Sequence, residues 1–387
     1  MNQELIDLFA KLAQDPLSVK KKALEYGSDY LGGDWKTLSE NEVDVVQMTG
    51  GQSNLLYLIT ASPGKITSES TPNCFLVRLH CQQDNQVFTD TVVFSIMSER
   101  GLGPKLYGFF PGGRLEQFLP SETLDNDTVS IPEVSMKIGA NLPKLHAIDV
   151  PIPKKPKAIL MIREFLEECR SSGKNTFKLV PGSVHFEDSE IPEEVTIDRL
   201  EQEVAEFEKM CYLFEKTVVF THNDLWSANI LQLNDTKEIV FIDFEYSSYN
   251  WRSFDLSMHL SECAFDYRVP FPPGVRVNQI FFENHPNIRV FCEAYINTLY
   301  NMKKEGSAPK YALSDDRERE VDHLIQECKF FLPLVNMLWA TWSIKNLWTG
   351  KEDDVDLSVA ASNRLSVFFH FKSQSEKIYQ ELKNSYY

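Results

Sequence analysis

Paired cysteines are missing from this chain. Its seven cysteines, at positions 74, 81, 169, 211, 263, 292 and 328, form no C-x-x-C spacing. The odd count excludes a closed disulfide framework, and the spacing excludes a zinc ribbon; reduced thiols in a cytoplasmic protein are the expectation. Positive charge is also short, with 39 Lys and Arg against 56 Asp and Glu and a formal net charge of −17. Such a surface repels a phosphate backbone, so nucleic acid is not an expected partner. Long apolar runs are absent. The most apolar stretch, Phe331 to Ile344, is too short to span a bilayer and contains Asn336. The first residues, MNQELIDLFAKLAQD, are acidic and amphipathic, without the basic start and apolar run of a signal peptide. Internal repeats and low-complexity tracts are lacking as well.

What is present is a folded composition, 43% hydrophobic and 25% charged over 387 residues. That length exceeds one ordinary core, so two domains are expected. Residues 1 to about 40 read as helical, ending near Gly32-Gly33. Strands are expected at Val43 to Met48, Leu55 to Thr60 and Phe75 to His80, with Gly50-Gly51 as a turn. Thr89 to Arg100 has helical spacing, and Gly101 to Pro104 ends it. Leu106 to Phe110 and Arg114 to Leu119 form a strand pair around Pro-Gly-Gly. Beyond residue 120 the pattern is mainly helical, with helices at Ser135 to His146 and Thr196 to Phe214 and a hairpin joining Ile230–Leu233 to Ile239–Ile242. The fold class is therefore α+β: residues 1–120 form an N-terminal lobe built on an antiparallel sheet with one inserted helix, and 121–387 a larger, mostly helical C-terminal lobe.

The strongest chemical signal is Thr221-His222-Asn223-Asp224-Leu225-Trp226-Ser227-Ala228-Asn229, followed by Ile242-Asp243-Phe244-Glu245. Written as H-x-D-L-x-x-x-N, hairpin, I-D-F, it supplies what phosphoryl transfer requires. That reaction needs a base beside the acceptor hydroxyl and hard oxygen ligands for Mg²⁺. Asp224 suits the first role; Asn229 and Asp243 suit the second. Three fixed residues alone could equally be a solvated loop with a capping Asp. The apolar strand before them, the hairpin and the second I-D weigh against that.

The string resembles the catalytic loop of the protein-kinase-like fold. The longer block Ile242-Asp-Phe-Glu-Tyr-Ser-Ser-Tyr-Asn-Trp-Arg-Ser-Phe-Asp255 resembles the choline/ethanolamine kinase family specifically. So do Asp29-Tyr-Leu-Gly-Gly-Asp-Trp35, Gly50-Gly-Gln-Ser-Asn54, Leu76-Val-Arg-Leu79, Glu99 to Gly108 and Gly113 to Ser121, in the family's order over nearly the whole chain. The resemblance implies an ATP- and Mg²⁺-dependent phosphotransferase acting on a small amino alcohol, choline before ethanolamine, at the first step of phosphatidylcholine synthesis. It also implies a homodimer. Gly51, Ser53 and Asn54 would cover the ATP phosphates, though taken alone G-G-x-S-N reads as a turn. Arg78 would bind phosphate, with Asp90 as its helix partner in place of the family's usual Glu. Glu116 to Leu119, including Gln117 and Leu119, would face adenine, mostly through backbone.

For the acceptor, the resemblance implies a pocket of Tyr246, Glu262, Tyr267, Trp339 and Trp342. A methylated cation cannot donate hydrogen bonds, so aromatic faces and a carboxylate are its natural partners. Trp339 and Trp342, three apart on an expected helix, share a face, a spacing equally usual in a core. Three positions depart from the family pattern: Trp226 and Ala228 replace a Gln and a Gly, and Cys263 replaces a Trp. These departures keep a catalytically weak binding protein open as an alternative, and within the same fold an ethanolamine or other amino-alcohol kinase stays open as well. A protein kinase does not fit, since G-x-G-x-x-G-x-V and A-P-E are both absent.

Overall fold

The structure, a computed structural model, describes residues 3–48, 54–80, 85–181, 184–186, 190–309, 313–351 and 353–386. The chain divides into two compact units. The first comprises Met1–Glu122, Leu233–Thr236 and Val240–Glu245; the second comprises Thr123–Gln232, Lys237–Ile239 and Tyr246–Tyr387.

The first unit opens with the expected helical region, divided into two helices, α1 (Gln3–Ala10) and α2 (Pro16–Tyr26). Asp15 explains the break. Its carboxylate accepts the Ser18 N–H at 3.2 Å, and Pro16 takes the first helical position, where a missing N–H costs nothing. A π-turn at Gly27–Leu31 and a 3₁₀ turn at Gly33–Thr37 follow. Gly32 and Gly33 both adopt positive φ there. Strands β1 (Val43–Met48), β2 (Asn54–Ala61) and β3 (Cys74–His80) precede α3 (Asn85–Arg100), and β4 (Leu106–Phe110) and β5 (Gly113–Glu116) follow it. The five strands form an antiparallel sheet ordered β1-β2-β3-β5-β4. Its register sets Arg78 opposite Arg114 and Leu76 opposite Glu116. Gly113 permits the close approach of β5 to β3, since a Cβ there would run into the Arg78 carbonyl. Phe9, Trp35, Tyr57, Ile59, Phe75, Val77, Leu79 and Leu115 pack together as the unit's core. Each such buried side chain contributes about 1.5–3 kcal/mol.

The second unit is mostly helical. After β6 (Ser121–Thr123) come α4 (Asn126–Val129), α5 (Pro132–His146) and α6 (Ala158–Ser171). The pair β7 (Thr176–Lys178) and β8 (Glu194–Thr196) leads into α7 (Ile197–Cys211), whose N-cap is Thr196. Next in chain order come β9 (Val218–Thr221), β10 (Ile230–Leu233), β11 (Ile239–Phe241), of which Leu233, Val240 and Phe241 are counted with the first unit, and β12 (Ser248–Trp251). Then follow α8 (Arg252–Glu262), the short β13 (Phe265–Asp266), β14 (Arg276–Val277) and α9 (Ile280–Glu283), and the long α10 (Ile288–Glu305), α11 (Arg317–Thr349) and α12 (Leu357–Tyr386). The expected hairpin is present as β10 and β11, with β6 beside β10. β9 pairs antiparallel with β12, placing Thr221 opposite Ser248. α11 packs along α12 and against α8 and α6, around Ile162, Phe165, Phe254, Phe330, Phe331, Leu334, Leu338 and Leu365. The apolar stretch Phe331 to Ile344 is the buried middle of α11. No helix among the described residues is long and apolar enough to cross a membrane.

Candidate active site

The loop that leaves β9 is built on one buried carboxylate. Asp255, in the first turn of α8, accepts the backbone N–H groups of His222 at 2.9 Å and Asn223 at 2.7 Å. It also lies 3.1 Å from His146 Nε2, and His146 Nδ1 is 2.8 Å from the Tyr295 hydroxyl. Burial pushes the Asp255 carboxyl up, but hydrogen bonding and charge from His146 and bonding to the His222 backbone outweigh it and hold the group below the usual carboxylate range. Asn223 can therefore be kept at φ 66°, a left-handed conformation that Asn tolerates better than most residues. Its side chain is fixed on every side. Nδ2 donates to the Tyr246 carbonyl (2.9 Å) and the Ser248 hydroxyl (2.8 Å), while Oδ1 accepts from Asn250 Nδ2 (3.1 Å).

Asp224 is the next residue, half-buried. Asn229, at the end of a 3₁₀ turn over Ser227–Asn229, donates its Nδ2 to the Asp224 carbonyl at 2.8 Å and to the Asp224 carboxylate at 3.0 Å. His259 holds the Leu225 carbonyl through Nδ1 at 3.2 Å. A carbonyl only accepts, so Nδ1 carries the proton; burial pushes this imidazole down to about 4 and keeps it neutral. The structure thus brings Asp224 and Asn229 into direct contact and locks the loop between them. Asp255, His146 and Asn250 were assigned no role from sequence. The signal for Asp255 is its place at the end of the family-like block.

In the first unit, Asp243 also has positive φ, 64°, and is half-buried. Arg78 on β3 is buried and donates Nε to Glu116 at 3.0 Å. Burial alone would push its guanidinium down, but the Glu116, Asp243 and Asp90 carboxylates outweigh that and keep it charged. The expected Arg78–Asp90 pair is not formed. Asp90 on α3 instead bonds Arg114, and Arg114 Nε donates to the second Glu116 oxygen at 3.0 Å. The cause is register: Arg114 stands directly opposite Arg78, and the shorter Asp side chain meets this neighbour. Glu116 ends β5, earlier than the strand end expected at Leu119. The Gln117 N–H is committed to the Lys105 carbonyl at 2.8 Å, and the Leu119 carbonyl accepts from the Ser121 hydroxyl at 2.8 Å. Gly51 and Ser53 lie outside the described residues, and Asn54 opens β2 opposite His80.

The expected acceptor residues form two groups. In one, Trp339 and Trp342 on α11 meet edge to face with centroids 5.7 Å apart, Tyr246 stands 5.4 Å from Trp339, and Trp342 Nε1 donates to the Tyr246 hydroxyl at 3.1 Å. Trp339 is 8% exposed and its Nε1 faces the Met258 sulfur, whereas Trp342 is only half-buried, with Lys351 Nζ 5.1 Å from its ring. In the other group, Tyr267 donates to Glu262 at 3.0 Å, and Trp226 meets the Tyr267 ring edge-on at 5.5 Å. Arg364 on α12, unforeseen from sequence, donates Nη2 to Glu262 at 2.7 Å. The Glu262 charge is therefore already met inside the chain. Cys263, where the family pattern has Trp, is buried at the end of α8 with Sγ 3.9 Å from His259 Nε2.

The family model for choline/ethanolamine kinase matches residues 45–369. A curated relative, choline kinase B2 of Caenorhabditis elegans, is 47% identical over 375 residues, covering 97% of each chain. Among solved structures, a Cryptosporidium parvum choline kinase superposes with a TM-score of 0.69 at 19% identity, covering 94% of this chain and 96% of its own. A Plasmodium vivax ethanolamine kinase superposes with a TM-score of 0.65, also at 19% identity, covering 94% and 90%. These likenesses establish the α+β protein-kinase-like fold, and the sequence matches establish the family. The chain belongs to the choline/ethanolamine kinase family.

Proposed function

We propose that this protein is an ATP-dependent choline kinase in which Asp224 is the base. The observation that carries the reading is the clamp on that residue. The two residues before it, His222 and Asn223, are fixed through Asp255, and its own carboxylate is held by Asn229 Nδ2 at 3.0 Å. A carboxylate so placed can accept the proton of the choline hydroxyl as its oxygen bonds to the γ-phosphorus and the bond to the ADP oxygen breaks. Little covalent help is needed beyond that, which is why a rigid loop matters more than a strongly perturbed base.

The divalent ion expected with ATP is Mg²⁺, and the donor chemistry here fits it. Asn229 uses its N–H₂ on Asp224, leaving a hard amide oxygen, and Asp243 offers a carboxylate. When bound, the ion neutralises charge on the β- and γ-phosphates. Arg78, kept cationic by Glu116 and its neighbours, is assigned to the phosphates, and Glu116 to Leu119 to the adenine, with the Gln117 N–H already committed to the Lys105 carbonyl. The grouped rings of Tyr246, Trp339 and Trp342 favour a methylated cation as acceptor. Intact Asp224, Asn229 and Asp243 speak against an inert binding protein.

A coupled ADP-release assay with ATP, Mg²⁺ and a panel of choline, dimethylethanolamine and ethanolamine tests the reading. The expected result is turnover of all three with the highest kcat/KM for choline. No ADP release with any amino alcohol would refute the kinase; a preference for ethanolamine would refute only the choline assignment.

A further inference from the structure

We infer that Arg364 is a specificity-determining residue, setting amine preference by withdrawing the Glu262 carboxylate from the acceptor; this rests on the choline kinase reading above. The two Glu262 oxygens are both engaged inside the chain. Oε1 accepts from Arg364 Nη2 at 2.7 Å, and Oε2 accepts from the Tyr267 hydroxyl at 3.0 Å. A third bond, Arg364 Nη2 to the Tyr267 oxygen at 2.8 Å, closes the triangle. Glu262 and Arg364 are each 5% exposed, so water does not screen the pair. The guanidinium lies 4.0 Å over the Phe265 ring, and the Tyr267 ring is braced by Trp226. Burial keeps the Tyr267 hydroxyl protonated, which preserves it as a donor to the carboxylate.

This arrangement has a chemical consequence. A primary ammonium brings three N–H donors that need acceptors, whereas a trimethylammonium brings none. Around Glu262 the acceptors are already engaged and donors are in excess: Arg364 Nη1 is buried with no hydrogen-bond partner among the described residues. A corner in which donors outnumber acceptors leaves an ammonium unsatisfied, which costs several-fold in affinity. It does not penalise methyl groups. The preference for the methylated amine therefore comes from an acceptor withheld as well as from rings supplied. Trp226 takes part by fixing Tyr267, so its departure from the family's Gln is part of the device rather than a loss.

The test compares kcat/KM for ethanolamine and choline in the wild-type protein, Arg364→Met and the double variant Glu262→Gln/Arg364→Met, with the KM for ATP as control. Arg364→Met frees the carboxylate and should raise the ethanolamine-to-choline ratio about tenfold or more. The double variant removes the freed carboxylate and should bring the ratio back to within about threefold of wild type. A ratio that does not move in Arg364→Met overturns the inference. So does a rise that persists in the double variant, because that would report a wider pocket. Should Arg364→Met fail to fold, the double variant decides, since replacing both members of a buried ion pair is often tolerated. In it, a choline KM raised more than about tenfold would mean that Glu262 is the cation's own counter-charge, and the inference fails; a smaller change upholds it. A wild-type protein that turns over neither amine refutes the kinase reading; an active one with an unmoved ratio refutes only the role of Arg364.

Discussion

Replacing Asp255 by Asn should weaken both the fold and the rate, by amounts the geometry allows one to work out. The carboxylate serves two buried backbone N–H groups and His146. An Asn amide of the same shape has one acceptor oxygen. If that oxygen stays on the Asn223 N–H, the new N–H₂ faces the His222 N–H, which loses its partner. A buried donor without an acceptor costs about 1–3 kcal/mol, and the surviving bond loses about 1 kcal/mol with its charge. The contact to His146 is weakened too and adds to that loss, so the two backbone groups alone set a lower bound. Their sum is about 2–4 kcal/mol, to be read as a fall in the melting temperature. The bond that survives is weaker, so Asn223 is held less firmly at φ 66°, a conformation that costs on the order of 1 kcal/mol to maintain. Asp224 then loses its fixed position, and kcat should drop about 10–100-fold with KM for ATP little changed. The pH dependence has a definite sign. The folded Asp255 carboxyl lies below its ordinary value, so its stabilisation is complete above about pH 4 and disappears as pH falls through the folded value. The stability gap between wild type and variant should be constant from about pH 6 to 8 and shrink in acid. A folded Asp255→Asn protein with wild-type melting temperature and wild-type kcat would refute the reasoning.

Asp224→Asn should lower turnover at least about 10²-fold while nucleotide binding, followed by calorimetry, persists; a near-normal rate would remove Asp224 from the chemistry. Asp243→Ala should abolish activity at any Mg²⁺ concentration, and recovery of full turnover in excess Mg²⁺ would argue against its role as a ligand. Trp342→Ala should raise KM for choline more than for ethanolamine, by about 1–2 kcal/mol, with KM for ATP unchanged. Trp342 is the cleaner choice because Trp339 is buried against Met258, and its truncation would also cost about 3–5 kcal/mol of stability. Equal losses for both amines would show that Trp342 only packs the helix.

Much of this molecule was legible in the residues, and where it was not, the reasons are physical. The strands from Val43 to Phe110 were found within a residue or so, because alternating apolar residues and flanking Gly and Pro mark a half-buried sheet. The helical region expected over the first 40 residues is divided at Asp15-Pro16. That pair ends one helix pattern and starts another, a cap signal readable from sequence. α6 carries Ile159, Ile162, Phe165, Leu166 and Cys169 at helical spacing, but the Pro- and Lys-rich segment just before it obscures where that pattern begins. The grouping of Asp224 with Asn229 could be read because the two are local, five positions apart. Arg364 could not, because its partner lies 102 positions away and no spacing rule reaches that far. The same holds for Asp90. Propensity placed it correctly on α3, but only the pairing of β3 with β5 sets Arg114 opposite Arg78 and gives Arg114, not Arg78, to Asp90. Charges near a kinase site thus say which groups are present; the strand register and the helix docking decide which of them are left to meet a substrate.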